Sequence, residues 1–171
     1  MARPSWRELG GLAAAVLAVV SLLLPWTGLS SGNPEVQAAL GELPAEDVDR
    51  SVWRATFLGW FPPLLVAAFG LVVAAFGRIG TARTGGLPQL WLIAAGVATL
   101  CTVFAWIFIA WQFSGDERAI LDIGGVSVDA AVGRYLGVVA IVTSLVFAVL
   151  DVRALRAETR RAAPRRGRHT R

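Results

Sequence analysis

At 171 residues, 56% of them hydrophobic, the chain carries more apolar mass than a soluble domain needs. One Cys excludes an internal disulfide, and a single His, His169, leaves the rest of the chain without imidazole chemistry. A net charge of +4 and a pI near 10.9 would point a soluble protein toward nucleic acid, but here the charge is segregated along the chain.

Four stretches hold no charged residue: between Glu8 and Glu35, Arg54 and Arg78, Arg83 and Asp116, and Arg134 and Asp151. A hydrocarbon core requires about 20 apolar residues per helix. The expected fold is an all-α membrane protein, a four-transmembrane-helix bundle in one domain over residues 1–171. Its spans fall at about 10–27, 57–77, 90–113 and 133–151. With both termini and the loop between Arg78 and Arg83 on one side, that side holds twelve Arg and three acids, net +9. The other side receives four Arg and nine acids, net −5. An Arg bias of this kind sets orientation. It predicts an N-in/C-in protein of the cell (inner) membrane, with outward loops 28–56 and 114–132 and a basic cytoplasmic tail 152–171. The exclusive use of Arg among the basic residues is accounted for by codon usage in a high-GC genome.

The N-terminus has the charged start and apolar middle of a signal peptide. Pro25-Trp26-Thr27 stands where a small-residue cleavage site would follow, so the expectation is an uncleaved first span. Trp6 and Trp26 lie twenty residues apart, about 30 Å of helix, and Trp91 and Trp111 bracket the third span with the same separation. These indoles are expected at headgroup level, together with Trp53, Phe57, Trp60, Phe61 and Tyr135 near the outer boundary. Trp106 lies deeper and is expected between helices.

Loop 28–56 opens with a flexible Ser-Ser-Gly. Asn33-Pro34-Glu35 then reads as a helix start, with Asn as N-cap and Pro at the first helical position; the helix should end near Gly41 and Pro44. Glu46, Asp47 and Asp49 match no calcium loop in spacing and read as a solvated face. In span two, a helix start near Gly59 would leave Pro62-Pro63 harmless in the first turn, and that start is the one expected. A start at Ser51 would put the pair inside the helix and kink it. Gly70 and Ala74 form a small-xxx-small step for close helix approach.

The short, Gly-rich inward loop makes spans two and three antiparallel neighbours. Cys101, in mid-span, reads as a small packing residue. In loop 114–132, two β-branched runs around Gly124-Gly125 predict a β-hairpin. Span four has only sixteen residues between its charges, so Arg134 is expected to snorkel outward and Asp151 inward. Gly133 and Gly137 match GxxxG at its outer end. Helix should continue into the tail to about residue 163 and break at Pro164.

Chemistry within a membrane needs ionisable groups at depth in the bundle interior, and on this reading the spans contain none. No membrane carboxylate is present for proton-coupled export, no His for intramembrane proteolysis, and no Cys pair for disulfide generation or a claudin-like loop. Leu24-Pro25-Trp26 closing span one and Gly133-Arg134-Tyr135-Leu136 opening span four, around a polar first outward loop, resemble a loose group of small four-helix membrane proteins of high-GC bacteria. The resemblance covers the plan of the whole chain and implies fold and location, with no activity attached.

The function expected is that of a non-enzymatic accessory, assembly or scaffold subunit acting through helix faces and outward loops, with no cofactor and no metal. The alternative is a transport component for an apolar or lipid substrate. The partner would be another membrane protein or a second copy of the chain; nucleic acid is set aside, since no aromatics interleave the tail Arg. Candidate partner contacts are Val36, Leu40, Glu46, Asp47, Asp49 and Trp53, with the short helix packing over the hairpin as an extracytoplasmic cap that buries Val36, Leu40, Ile120, Ile123 and Val126. Candidate anchors to anionic lipid headgroups are Arg153, Arg156, Arg160, Arg161, Arg165, Arg166 and Arg168, each worth about 1 kcal/mol near the surface.

Overall fold

A computed structural model describes residues 5–162. Four helices are long and apolar enough to cross a membrane: α1 (Trp6–Leu23), α4 (Phe57–Phe76), α6 (Leu87–Ile107) and α8 (Val132–Ala162). Between them stand β1 (Pro25–Ser31), α2 (Pro34–Glu42), α3 (Ala45–Val48), β2 (Asp49–Ser51), α5 (Gly80–Thr84), α7 (Gly115–Ile123) and β3 (Val126–Ala130). The long helices form a ring in which α1 and α6 each pack against both α4 and α8. Spans two and three are therefore neighbours, as expected.

Small residues set the helix spacing. The inner face of α1 is Gly10, Gly11, Ala14, Ala15, Ala18 and Ser21, all buried. A Cβ on Gly70 would fall 2.5 Å from the Gly11 carbonyl oxygen and 2.7 Å from Ala15 Cβ, so α1 and α4 touch backbone to backbone. Ala14, Ala18, Val66, Ala67, Ala98, Ala140 and Ile141 make up the bundle centre.

Helix starts follow side-chain capping. Ser5 Oγ accepts from the Glu8 amide while Glu8 accepts from the Ser5 amide, a capping box that begins α1 four residues earlier than predicted. At α2 the expected cap is present: Asn33 Oδ1 accepts from the Glu35 amide at 3.0 Å, with Pro34 at the first helical position.

Four expectations are corrected here. The two serines of Ser-Ser-Gly are ordered in a strand: Ser30 and Ser31 end β1, the centre of a three-stranded antiparallel sheet ordered β2-β1-β3, and Gly32 follows it. Residue 24, before Pro25, is held in extended backbone, which ends α1 at Leu23 and turns the chain into that strand. There is no hairpin at Gly124-Gly125. Ser114 and Glu117 form a second capping box that starts α7, and the glycines end it, Gly125 at φ 60°. β3 then pairs with β1 from Thr27↔Ala130 to Ser31↔Val126. Finally, α4 starts at Phe57, so Pro62 and Pro63 lie in its second turn, inside the helix, where each removes a backbone donor. Both are fully buried.

Candidate functional site

The two ends of the bundle are closed by different chemistry. At the end where the described chain begins and α8 leaves the bundle, the links are ionic. Asp151 on α8 pairs with Arg7 of α1 at 3.1 Å and with Arg83 of α5 at 3.5 Å, and Arg83 also reaches Glu158 at 3.8 Å. Glu8 takes Arg78 at 3.2 Å. Asp151 therefore points into a cluster of partners rather than snorkelling to a free surface.

The sheet end is built around Trp26 and Arg134. Trp26 is packed inside the protein: it is 3% exposed, and its indole N–H donates to the Ser21 carbonyl at 2.6 Å. Its ring lies over Gly133 and Gly137: a Cβ on Gly133 would be 2.7 Å from Trp26 Cδ1 and 2.7 Å from the Pro25 carbonyl oxygen. A Cβ on Gly137 would be 3.0 Å from Trp26 Cζ2. The GxxxG step thus seats an indole rather than a second helix. Leu24-Pro25-Trp26 and Gly133-Arg134-Tyr135-Leu136 are the two halves of one contact.

Arg134 does not snorkel outward. It is 4% exposed, and its guanidinium lies 5.8 Å from the ring centroids of both Trp26 and Trp106. Nη1 donates to the Ala105 carbonyl at 3.4 Å, in the last turn of α6, whose C-terminal dipole carries about half a negative charge. Nε is buried with no partner, and among the described residues no carboxylate pairs with Arg134. A cation buried in this way is costly unless the site uses it. The spans accordingly do contain a buried charge. Trp106, expected between helices, is instead 38% exposed: it meets Tyr135 of α8 edge-on at 5.4 Å on the outer side of the bundle.

Of the other indoles, Trp91 is also inside, fully buried and donating to Ser144 Oγ at 3.0 Å. Trp6 and Trp111 stay exposed. Trp53, Phe57, Trp60 and Phe61 form one aromatic cluster at the start of α4, with Phe57 and Phe61 stacked at 4.5 Å.

The candidate loop contacts divide. Leu40 is buried and Val36 half-buried, as expected. Glu46 and Asp47 are held by Arg54, at 3.8 and 3.0 Å, and Trp53 stacks on Trp60, all partners on their own side of the platform. Asp49 is exposed in β2, opposite Gly28. The loops meet instead through β1 and β3, through Arg50 on Glu117 at 3.3 Å, and through Thr27 with Gln112 at 3.0 Å. Arg50 also lies over the Phe113 ring at 4.2 Å. The backbone amide of Ser114, followed by Arg50, holds the Glu117 carboxyl below its ordinary range. Val126 is half-buried, but Ile120 and Ile123, expected inside, are 70% and 88% exposed.

Arg153, Arg156, Arg160 and Arg161 are exposed on the extension of α8 and line one open surface groove. Arg165, Arg166 and Arg168 lie outside the described residues. Among the described residues no group of three His, Cys, Asp or Glu is placed to hold a metal ion. Comparison with protein-family models, with curated proteins and with solved structures finds no match to this chain.

Proposed function

We propose that the chain is a non-enzymatic, multi-pass protein of the cell (inner) membrane that serves as an accessory, assembly or scaffold subunit. The observation that supports this best is the sheet joining the two long loops, which turns them into one platform on the bundle end. That platform leaves Ile120, Ile123 and Trp53 open to contact, and exposed apolar groups on a fixed surface are what a docking face requires. The partner is another membrane protein or a second copy of the chain.

In this reading both termini are cytoplasmic and the platform faces outward, following the +9 against −5 division of charge. Arg153, Arg156, Arg160 and Arg161 would then meet anionic lipid on the inner surface. Reporter fusions at Arg78 and Arg171 should behave as cytoplasmic, and fusions at Gly32 and Gly125 as external. An external C-terminus would end the topology. Pairing of the two short motifs through Trp26 also offers a structural reason for the resemblance to small four-helix proteins of high-GC bacteria.

Purification in mild detergent at natural abundance tests the subunit role. A stoichiometric partner or a defined oligomer should appear, and Ile120→Asp with Ile123→Asp should release it while the monomer stays folded. A chain that purifies alone and monodisperse counts against the proposal. Transport of an apolar or lipid substrate is the second reading, supported by an apolar groove between α6 and α8. Pro62-Pro63 gives that reading no support, because both rings are buried.

A further inference from the structure

The groove between α6 and α8 encloses about 450 Å³ and is walled by Thr99, Val103, Trp106, Tyr135, Val139 and Val142, among others. It runs from Thr99 to Trp106, about 10 Å of helix. No charged side chain lines it, and its two threonine hydroxyls, of Thr99 and Thr102, donate back to Ala95 and Ala98 at 2.8 Å. Its wall is thus entirely apolar toward a ligand along most of its length. At the sheet end it closes on Trp106 and Tyr135. Arg134 lies next to the Trp106 ring, with its Nε unpartnered.

A partner helix fits this shape poorly. Close helix packing needs small residues along the seam, and here only Thr99 and Thr102 are small, the other walls being Val, Ile, Trp and Tyr with no Gly or Ala. A hydrocarbon chain fits the apolar walls, and the cation beside the closed end selects what the chain is attached to. Half a dipole charge from α6 and two indole faces neutralise the guanidinium only in part. A phosphate oxygen would complete it, with the paired N–H geometry that Arg offers to phosphate.

We propose that this groove binds one anionic phospholipid, with an acyl chain between α6 and α8 and its phosphate on Arg134, the Trp106 ring moving aside to admit it. The site is separate from the exposed Arg of the α8 extension, and the inference stands whether the chain is a subunit or a carrier. General electrostatics cannot mimic it, because the sheet end of the chain carries nine acids and four Arg and repels anions overall. Anionic selectivity there must be local to Arg134.

The test is native mass spectrometry after equilibration with vesicles of equimolar phosphatidylglycerol and phosphatidylcholine, using the full chain with the exposed tail Arg153, Arg156, Arg160 and Arg161 changed to Gln. This protein should retain one phosphatidylglycerol with about tenfold preference over phosphatidylcholine. Arg134→Gln should bind the two lipids equally, while Arg134→Lys keeps part of the preference. Val139→Trp fills the groove from its half-exposed wall and should lose both lipids; it carries the test if Arg134→Gln does not fold. The proposal is overturned if the parent shows no preference, if the preference survives Arg134→Gln, or if Val139→Trp retains the lipid. It is equally overturned if the groove proves to hold a second copy, seen as a dimer that Val139→Trp splits without any change in lipid.

Discussion

Two arginines near opposite ends of the bundle, Arg7 and Arg134, face the same difficulty in different ways. Arg7 starts a helix and is matched by Asp151, which it shares with Arg83. Arg134 starts a helix as well, but its surroundings are a carbonyl of α6 and two indole rings. The first arrangement depends on formal charge and on both partners being present. The second depends on shape: Trp26 must lie flat against Gly133 and Gly137 before its ring can face the guanidinium. One end of the molecule should therefore be sensitive to charge changes and the other to volume changes.

The largest effect is expected from volume at the sheet end. Gly133→Leu would drive its side chain into Trp26 and into the Leu24 and Pro25 carbonyls, the latter two being backbone that cannot rotate away. Overpacking of this kind costs typically 1–3 kcal/mol, about the upper limit here or beyond it. Unfolding in mixed micelles should show it, and the loss should exceed that of Gly96→Leu, where a Cβ meets nothing within 4 Å. Equal losses would mean that the indole seat is not a constraint.

At the ionic end the expected order reverses, with charge mattering more than volume. Asp151→Asn keeps the size and removes the carboxylate that Arg7 and Arg83 share. The Asp151 side chain is 15% exposed, so the cost should fall between surface and buried pairs, about 2 kcal/mol. Restoration by the double variant Asp151→Asn with Arg7→Gln would sharpen the comparison. No restoration would place the energy in packing instead.

Much of the helical plan was legible because composition alone imposes it: long uncharged runs leave a chain few options but to span. The loops were misread where one local signal competed with another. Gly124-Gly125 between β-branched residues suits a hairpin turn, but it also suits a helix stop, and Ser114 with Glu117 three residues later was the signal that decides between them. The site was half legible. Both motifs around Trp26 and Arg134 stood out in the sequence, yet their contact spans more than a hundred residues and has no local trace. A Trp after a Pro at a helix end and a Gly pair four apart each have an ordinary membrane explanation, at the interface and between helices. Only the fold shows that they complete each other. Trp91 was misplaced for the same reason: its partner Ser144 lies 53 residues away.

That bond gives the next effect in size. Ser144→Ala leaves the Trp91 indole N–H buried with nothing to accept it, at a cost of about 1–2 kcal/mol. Trp91 borders the ionic end, lining one small cavity with Arg7, Arg83 and Asp151, whereas the indole seat at Gly133 is built by Trp26, Pro25 and Leu24. Its loss should therefore add to that of Gly133→Leu and couple to that of Asp151→Asn, as thermal unfolding of the double variants can measure. Simple additivity with Asp151→Asn would mean that the Trp91 layer and the ionic end are separate units.

The smallest effect is expected from pH at the platform. Glu117 holds the start of α7 by accepting from the Ser114 amide, and it joins the two loops by accepting from Arg50. Both interactions favour its ionised form and hold its carboxyl below the ordinary value. A depressed pKa stabilises the fold at pH above the unfolded value, near 4.3 for Glu, and that contribution is lost as pH falls through the lower folded value. The group is open to solvent, so the change should appear as local fraying rather than as unfolding. Amide exchange in α7 should accelerate as pH drops below the ordinary Glu range, beyond the intrinsic pH dependence of exchange, and Glu117→Gln should show the faster rate already at neutral pH. Exchange in β3 should rise less, because its ladder to β1 does not involve the carboxylate. If α7 and β3 respond equally, the platform opens as a single body, and Glu117 is then the latch of the whole sheet end rather than the cap of one helix.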